Sequence, residues 1–412
     1  MRKQMSGSGD LRYSIMNRPY LLRCIHCGKT YDKNEIHYTC FDCGTRLGVL
    51  EVLLDWKESP PELSREHGIW QWKDLLPIDS KTLPTIPLVG DTPMIPSALL
   101  AEKWGVGEVW IKDDGRNPTS SYKDRASAVA LAKAKEFGFQ HIYTASTGNA
   151  ASSLAGLSAA AGIRAHIFIP HAAPQAKLAQ LLVYGAQVFQ IQGTYDQAFD
   201  LSIEYGQKEG WYCRNSAYNP YLLEGKKTAS FEIFRDLEHQ VPDVVLVGVG
   251  DGTVYSSIIK GFFDLKEIGW IDRIPVVIGV QAKGSNAVLN TFQKGEPFLP
   301  ADQKYPNTIA DSICVGKPRD VLKACAYAKK SGGFFVDVED SEIAHAIMEL
   351  ARTTGVFSEP AGAASYAGLR VLQDRKYLHP AMRIVLINTG NGLKDTQAFM
   401  RYCDQEMIVL HP

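Results

Sequence analysis

From Gly90 onward, strand-like apolar runs alternate with helix-like segments, and this alternation confines the chain to an α/β architecture. The strand candidates are Glu108–Lys112, His141–Thr144, Ala165–Pro170, Gln187–Ile191, Val244–Gly248, Val276–Gln281 and Ile384–Asn388. Helices are expected between them, among others over Arg125–Phe137, Ala150–Ala161 and Ala176–Tyr184. Short apolar strands bounded by glycine and interleaved with helices imply parallel sheets buried on both faces. Right-handed crossovers then bring loops and helix N-termini to the carboxyl ends of the strands, where ligands bind. At 412 residues the chain can hold two such domains or one large one.

The segment before this alternation carries different chemistry. Cys24-Ile-His-Cys27-Gly28 and Cys40-Phe-Asp-Cys43-Gly44 are two matching C-x-x-C-G turns. Each places two thiolates on one tight turn, with a glycine that lets the backbone curl. Cys24, Cys27, Cys40 and Cys43 together can supply a sulfur tetrahedron, which favours zinc with no open position, hence a structural metal. A ribbon over residues 20–52, too short to fold on its own core, follows, with a polar and proline-rich linker over 53–89. The other cysteines, Cys213, Cys314, Cys325 and Cys403, read as small buried hydrophobes. A net charge of −1 gives no reason to expect a nucleic acid or a membrane surface as partner. No apolar run is long enough to span a bilayer, and the polar tail Met1 to Asp10 lacks the apolar core of a signal peptide. Clustered rather than paired cysteines point to the cytoplasm.

Four segments further along could hold reactive or anion-binding groups. Lys123 lies in Asn117-Pro118-Thr119-Ser120-Ser121-Tyr122-Lys123-Asp124-Arg125, where a loop should turn into a helix capped by Thr119, Ser120 or Ser121. A lysine held on rigid backbone suits covalent chemistry with an aldehyde cofactor, although a solvated lysine paired with Asp124 is the plainer alternative. Ser146-Thr147-Gly148-Asn149 opens a small-residue helix, and its amides and hydroxyls suit a substrate carboxylate. Gly248-Val249-Gly250-Asp251-Gly252-Thr253 follows an apolar strand and opens another helix, which makes a phosphate cradle. Thr253 occupies the third glycine position of a dinucleotide fingerprint, so a single phosphate fits better than a pyrophosphate. Thr389-Gly390-Asn391-Gly392-Leu393-Lys394-Asp395 puts a hydroxyl at a strand end.

In this order the four segments resemble threonine synthases, which belong to the pyridoxal-phosphate enzymes of the tryptophan-synthase β type. Gly68-Ile69-Trp70, Gly90-Asp91-Thr92-Pro93, Asn215-Ser216, Glu224-Gly225-Lys226-Lys227-Thr228 and Glu359-Pro360-Ala361 extend the similarity from about His67 to Asp395. The resemblance implies two open, parallel-sheet, three-layer domains behind the zinc ribbon. A large cofactor-binding domain would span 90–124 and 211–412, and a small mobile domain 125–210. It further implies a homodimer with pyridoxal 5'-phosphate in the cleft. Lys123 would bond the cofactor's aldehyde and shuttle protons, and Asn149 would meet its phenolic oxygen. Gly250, Asp251, Gly252 and Thr253 would hold its phosphate, and Thr389 would face its ring nitrogen. Ser146, Thr147, Gly148, Asn215 and Ser216 would bind an amino-acid substrate. The implied reaction turns O-phosphohomoserine and water into threonine and phosphate. The alternative within the fold is a serine or threonine dehydratase, or a β-replacement enzyme acting on an activated serine. The arginine that would receive the substrate phosphate aligns near Leu222 or Leu223, leaving Arg214, Lys226 and Lys227 as cationic candidates.

Overall fold

A computed structural model describes residues 18–35, 38–56, 61–171, 175–400 and 402–403. The polar tail Met1 to Asp10 lies outside the described residues. Three sheets organise the molecule, and their strands in chain order are β1 (Tyr20–Cys24), β2 (Thr30–Asp32), β3 (Leu50–Leu54), β4 (Met94–Pro96), β5 (Glu108–Asp113), β6 (His141–Ala145), β7 (Arg164–Pro170), β8 (Gln187–Ile191), β9 (Tyr212–Cys213), β10 (Val244–Gly248), β11 (Val276–Ala282), β12 (Phe334–Val338) and β13 (Arg383–Asn388). Among the described residues no helix is long and apolar enough to cross a membrane.

The largest sheet has the order β12-β11-β10-β13-β5-β4. Its central strand β10 is Val-Val-Leu-Val-Gly, buried at every position and paired in parallel with β11 and β13. Alternate residues feed two cores. Leu246, Ile278, Val280 and Leu386 face the helix Pro360–Asp374, while Val245, Val247, Val277 and Val385 face the helix Thr253–Glu267. Small residues bring the first helix close: a Cβ on Gly368 would lie 2.6 Å from Val280 Cγ2. The sheet is not wholly parallel, as expected from the sequence, because β4 runs antiparallel to β5 along the edge. The three-residue strand ends at Pro96, which an edge tolerates, and the short helix Ala98–Trp104 turns the chain back into β5.

The smaller sheet, β8-β7-β6-β9, is parallel throughout. Ile142 and Ile167 point to one face, Tyr143 and Phe168 to the other, where Phe199 of the helix Tyr195–Lys208 covers them. Its edge strand β9 comes from Tyr212–Cys213, just beyond the segment 125–210.

The first sheet, β2-β1-β3, is antiparallel and carries the two cysteine turns. Gly28 N donates to Cys24 O at 3.0 Å and Gly44 N to Cys40 O at 2.9 Å, so the two turns match in hydrogen bonding. Both glycines have positive φ, 76° and 68°, which side chains disfavour. This small unit is docked by polar contacts: Tyr327 Oη donates to Glu51 Oε2 at 2.6 Å, and Lys323 Nζ to Leu50 O at 2.9 Å. Arg46, three residues after Cys43, reaches the Pro318 carbonyl at 2.8 Å and pairs with Asp302.

Candidate active site

A cavity of about 800 Å³ opens at the carboxyl ends of β6, β10 and β13, between the two larger sheets. Parallel sheets expose loop amides and helix N-termini at that end, which makes it the ligand-binding end. A second hollow of about 580 Å³, among Glu108, Asp243 and Arg383, lies at the opposite ends of these strands and gathers none of the expected site residues.

Lys123 lines the cavity as the first residue of the helix Lys123–Glu136. The hydroxyl caps expected for this helix are absent. Tyr122 precedes it without a side-chain cap, and Thr119 instead donates its amide (2.7 Å) and hydroxyl (2.5 Å) to the Asp124 carboxylate. The Asp124 carboxylate thus ties the loop ahead of the helix to its first turn, where its charge also suits the helix dipole. The turn is also laced to the end of β13: Tyr122 N donates to Thr389 O at 2.9 Å and Asn391 N to Ser120 O at 3.1 Å. Behind Lys123, Arg125 is fully buried and forks both ways, to Asp114 at 2.6 and 2.9 Å and to Glu232 at 2.6 and 2.8 Å. Asp124 is therefore committed elsewhere, and Lys123 has no hydrogen-bond or ion-pair partner among the described residues. Burial lowers the affinity of its amine for a proton, and Arg214 adds to this against the opposing charges of Asp251 and Glu359.

Gly248, Val249, Gly250, Asp251 and Gly252 form one wall, and Thr253 starts the fifteen-residue helix Thr253–Glu267. A Cβ on Gly250 would lie 3.0 Å from Ile313 Cα, and one on Gly252, at φ 99°, 2.9 Å from Ala324 Cβ. Glycine is thus required for the loop to pass. Asp251 accepts from Thr253 N (2.9 Å) and Thr253 Oγ (2.8 Å), which turns its charge into the helix end. Next to this loop, Lys226 is fully buried and its Nζ has no partner. Burial, and then the charge of Lys123, lower its proton affinity while Asp251 opposes them.

Asn149 and Thr389 lie on opposite sides of a carboxyl that the sequence left without a role. Asn149 Nδ2 donates to Glu359 Oε2 at 2.7 Å and Thr389 Oγ to Glu359 Oε1 at 3.2 Å. Burial raises the Glu359 carboxyl above the usual range, against the pull of Asn149 and Lys394. Its place in Glu359-Pro360-Ala361, where proline begins a helix, was the available signal. The segment 302–319, with Asp302, Tyr305, Ser312 and Arg319, also lines the cavity. Arg319 stacks 3.6 Å from the Phe199 ring and meets Asp196 at 3.4 Å, closing part of the mouth from the smaller sheet's side.

Ser146, Thr147 and Gly148 line the remaining wall at the N-terminus of the helix Asn149–Ala161. Ser216 lines it as well, but Asn215 does not. The Asn215 side chain accepts from Ala145 N (2.7 Å) and Thr144 Oγ (3.1 Å) and donates to Ser202 Oγ (2.9 Å), so it pins β6 rather than facing the cavity. Of the scattered cysteines, Cys213 and Cys325 are buried as expected. Cys314 instead lines the cavity and Cys403 is exposed, because each sits in a loop without apolar cover.

Away from the cavity, the sulfur atoms of Cys24, Cys27, Cys40 and Cys43 all lie within 4.8 Å of one another. Burial pushes the Cys40 thiol up, but the Tyr31 hydroxyl (3.0 Å) and the amides of Cys43 and Asp42 outweigh it and bring the group to about 6.

Residues 85–390 match the family described as pyridoxal-phosphate dependent enzyme. The threonine synthase of Methanocaldococcus jannaschii is 39% identical over 397 residues, covering 94% of this chain and 96% of the relative. That of Methanosarcina acetivorans is 37% identical, covering 95% and 96%. Among solved structures, the processed form of threonine deaminase isoform 2 from Solanum lycopersicum superimposes with a TM-score of 0.68 at 21% identity, covering 85% of this chain and 99% of that one. Maize serine racemase follows the same course at a TM-score of 0.63 and 20% identity, covering 73% and 88%.

Proposed function

Since the chain belongs to the pyridoxal-phosphate-dependent enzymes, and among them to the threonine synthases, we infer that it converts O-phosphohomoserine and water to threonine and phosphate. The observation that carries this reading is the unpartnered amine of Lys123, facing a cavity walled by the glycine loop, Asn149 and Thr389.

The residues fit the cofactor. Gly250 and Gly252 leave room where side chains would collide, and the unpartnered Lys226 Nζ beside them calls for an anion. Gly250, Asp251, Gly252 and Thr253 would hold the phosphate with Lys226 beneath, Lys123 the aldehyde carbon, Asn149 the phenolic oxygen, and Thr389 the ring nitrogen. When bound, the cofactor would supply an electron sink that acidifies the substrate's amine-bearing carbon and, through it, the neighbouring carbon. A neutral hydroxyl at the ring nitrogen keeps that sink moderate, which suits elimination and replacement over transamination. Lys123 would move protons at the α and neighbouring carbons, since its amine lines the cavity beside Asn149 and the glycine loop, and its lowered proton affinity favours a free base. Ser146, Thr147 and Gly148 would hold the substrate carboxylate at the N-terminus of the helix Asn149–Ala161. Glu359 orients both Asn149 and Thr389. The smaller sheet, tied to the 302–319 segment through Asp196 and Arg319, would act as the mobile half of the cleft that excludes water.

The four sulfurs of the N-terminal unit support a structural zinc site, since an ion at tetrahedral Zn–S distances spans sulfurs just under 4 Å apart. Turnover tests the main reading. Supplied with O-phosphohomoserine, the cofactor-loaded protein should release phosphate and threonine in equal amounts, and phosphoserine, serine and threonine should be poorer substrates. Phosphate release without threonine refutes it in favour of a dehydratase or β-replacement enzyme.

A further inference from the structure

Where the resemblance expects a substrate-binding arginine, Leu222 and Leu223 are buried apolar residues of the helix Tyr221–Lys226. Three cations lie near enough to take over, and the structure separates them. Lys227 is occupied: its ammonium pairs with Glu224 and, at 2.6 Å, with Asp264, which Lys260 also meets. Lys226 Nζ bonds to no cavity-lining side chain, whereas Arg214 bonds to Ser216. Arg214 remains.

Arg214 follows β9 directly and is fully buried. Nε donates to Ser127 Oγ at 3.1 Å and Nη1 to Ser216 Oγ at 3.3 Å, while Nη2 has no partner. No carboxylate pairs with the guanidinium among the described residues. Burial holds it down to about 10, still well above neutrality, so the group stays charged. An enclosed guanidinium with an idle N–H edge is costly unless an anion completes it. Arg214 itself stands behind the cavity wall, and Ser216, which lines the cavity and accepts from Arg214, marks where an anion would reach the idle edge. Its own hydroxyl proton is left to donate toward the cavity. Guanidinium and hydroxyl thus present two adjacent donors, the arrangement that suits the oxygens of a phosphate. The helix N-terminus at Ser146–Gly148 offers only dipoles and hydroxyls, a match for a singly charged carboxylate.

We propose that Arg214, with Ser216, binds the phosphate group of the substrate and so makes the site selective for a phosphoester over an unphosphorylated amino acid. This rests on the threonine synthase reading and adds the group that recognises the leaving phosphate. Arg214 approaches from the end of a strand, whereas the expected arginine would approach from the helix Tyr221–Lys226. The cation has changed element, and Leu222 fills the space against the helix Lys123–Glu136.

The test compares cofactor-loaded wild type with Arg214→Gln and Ser216→Ala. Arg214→Gln should raise both KM for O-phosphohomoserine and the inhibition constant of inorganic phosphate at least tenfold. The visible cofactor spectrum should stay that of the wild type. Ser216→Ala should shift the phosphate inhibition constant in the same direction by at least threefold, and it carries the test if Arg214→Gln does not fold. Unchanged phosphate inhibition in a folded variant overturns the proposal. A wild-type protein that binds inorganic phosphate through Arg214 but makes no threonine would instead overturn the reading of the reaction and leave the assignment of Arg214 standing.

Discussion

Replacing Arg125 with methionine probes what holds Lys123 in place. The guanidinium bridges Asp114 and Glu232 with two bonds to each, and all three side chains are fully buried. Methionine has a similar length, so little cavity forms, and the loss is electrostatic. Glu232 keeps Lys112 at 2.7 Å, but among the described residues the Asp114 carboxylate is left with only the Thr92 hydroxyl at 2.7 Å. Removing one partner of a buried pair costs about 3–5 kcal/mol, and with Glu232 still compensated a value near 4 is expected. Asp114→Asn in the Arg125→Met background removes the bare charge and should return roughly 1–3 kcal/mol. Urea unfolding followed by the fluorescence of the seven tryptophans gives these differences as midpoint shifts. Acid adds a sign. Burial pushes the Glu232 carboxyl up, but Arg125 and Lys112 outweigh it and hold it well below the usual carboxylate range. Its stabilisation is therefore present above the unfolded-state value and lost as pH falls, and in Arg125→Met part of this acid-sensitive contribution disappears. A loss below about 1 kcal/mol, or no recovery from Asp114→Asn, would refute the argument that this network is what fixes the start of the helix.

Three further outcomes follow from the site. Lys123→Ala should abolish the visible band of the lysine-bound cofactor and lower turnover by roughly a thousandfold; a retained band excludes Lys123 as the attachment point. Glu359→Gln should flatten the dependence of the urea midpoint on pH. The buried carboxyl is raised, so its contribution is full at low pH and fades as pH rises through the folded-state value, and equal slopes between pH 5 and 8 in variant and wild type would contradict this. Cys40→Ser should reduce the metal content from about one zinc per chain to near none and lower the unfolding midpoint, as measured by elemental analysis and urea titration. Full zinc content in that variant rules out the four-sulfur site.

The strands were readable wherever short β-branched runs ended at glycine or proline. Gln187–Ile191 and Val244–Gly248 both fall at their expected limits, the second because burial on both faces demands an unbroken apolar run, the first, a half-exposed edge strand, on its Val-Phe-Ile content alone. Met94–Pro96 and Tyr212–Cys213 were not readable, since two or three residues on a sheet edge are fixed by their partners rather than by pattern. In the site, glycines and the lysine segment were legible because their chemistry is local. The roles of Asn215 and Glu359 depend on contacts with residues 13 to 210 positions away, and nothing in the local sequence encodes those distances. Segment 302–319 was missed for the same reason, being polar, without period, and held by tertiary contacts. Arg214 was visible only as one of three cations, and its idle N–H edge appears only once its neighbours are in place.

Arg46 grips the segment 302–319 from the turn that follows Cys43, so the cysteine unit and the catalytic cleft share a hinge pin. Sites joined in this way are thermodynamically reciprocal: whatever free energy a ligand at one contributes to ordering the shared segment, a ligand at the other gains in affinity. With zinc at the proposed four-sulfur site, its removal should weaken the binding of cofactor and substrate, and filling the cleft should raise the equilibrium affinity for zinc by the same factor. The N-terminal unit would then set the occupancy of a pocket to which it contributes no lining residue.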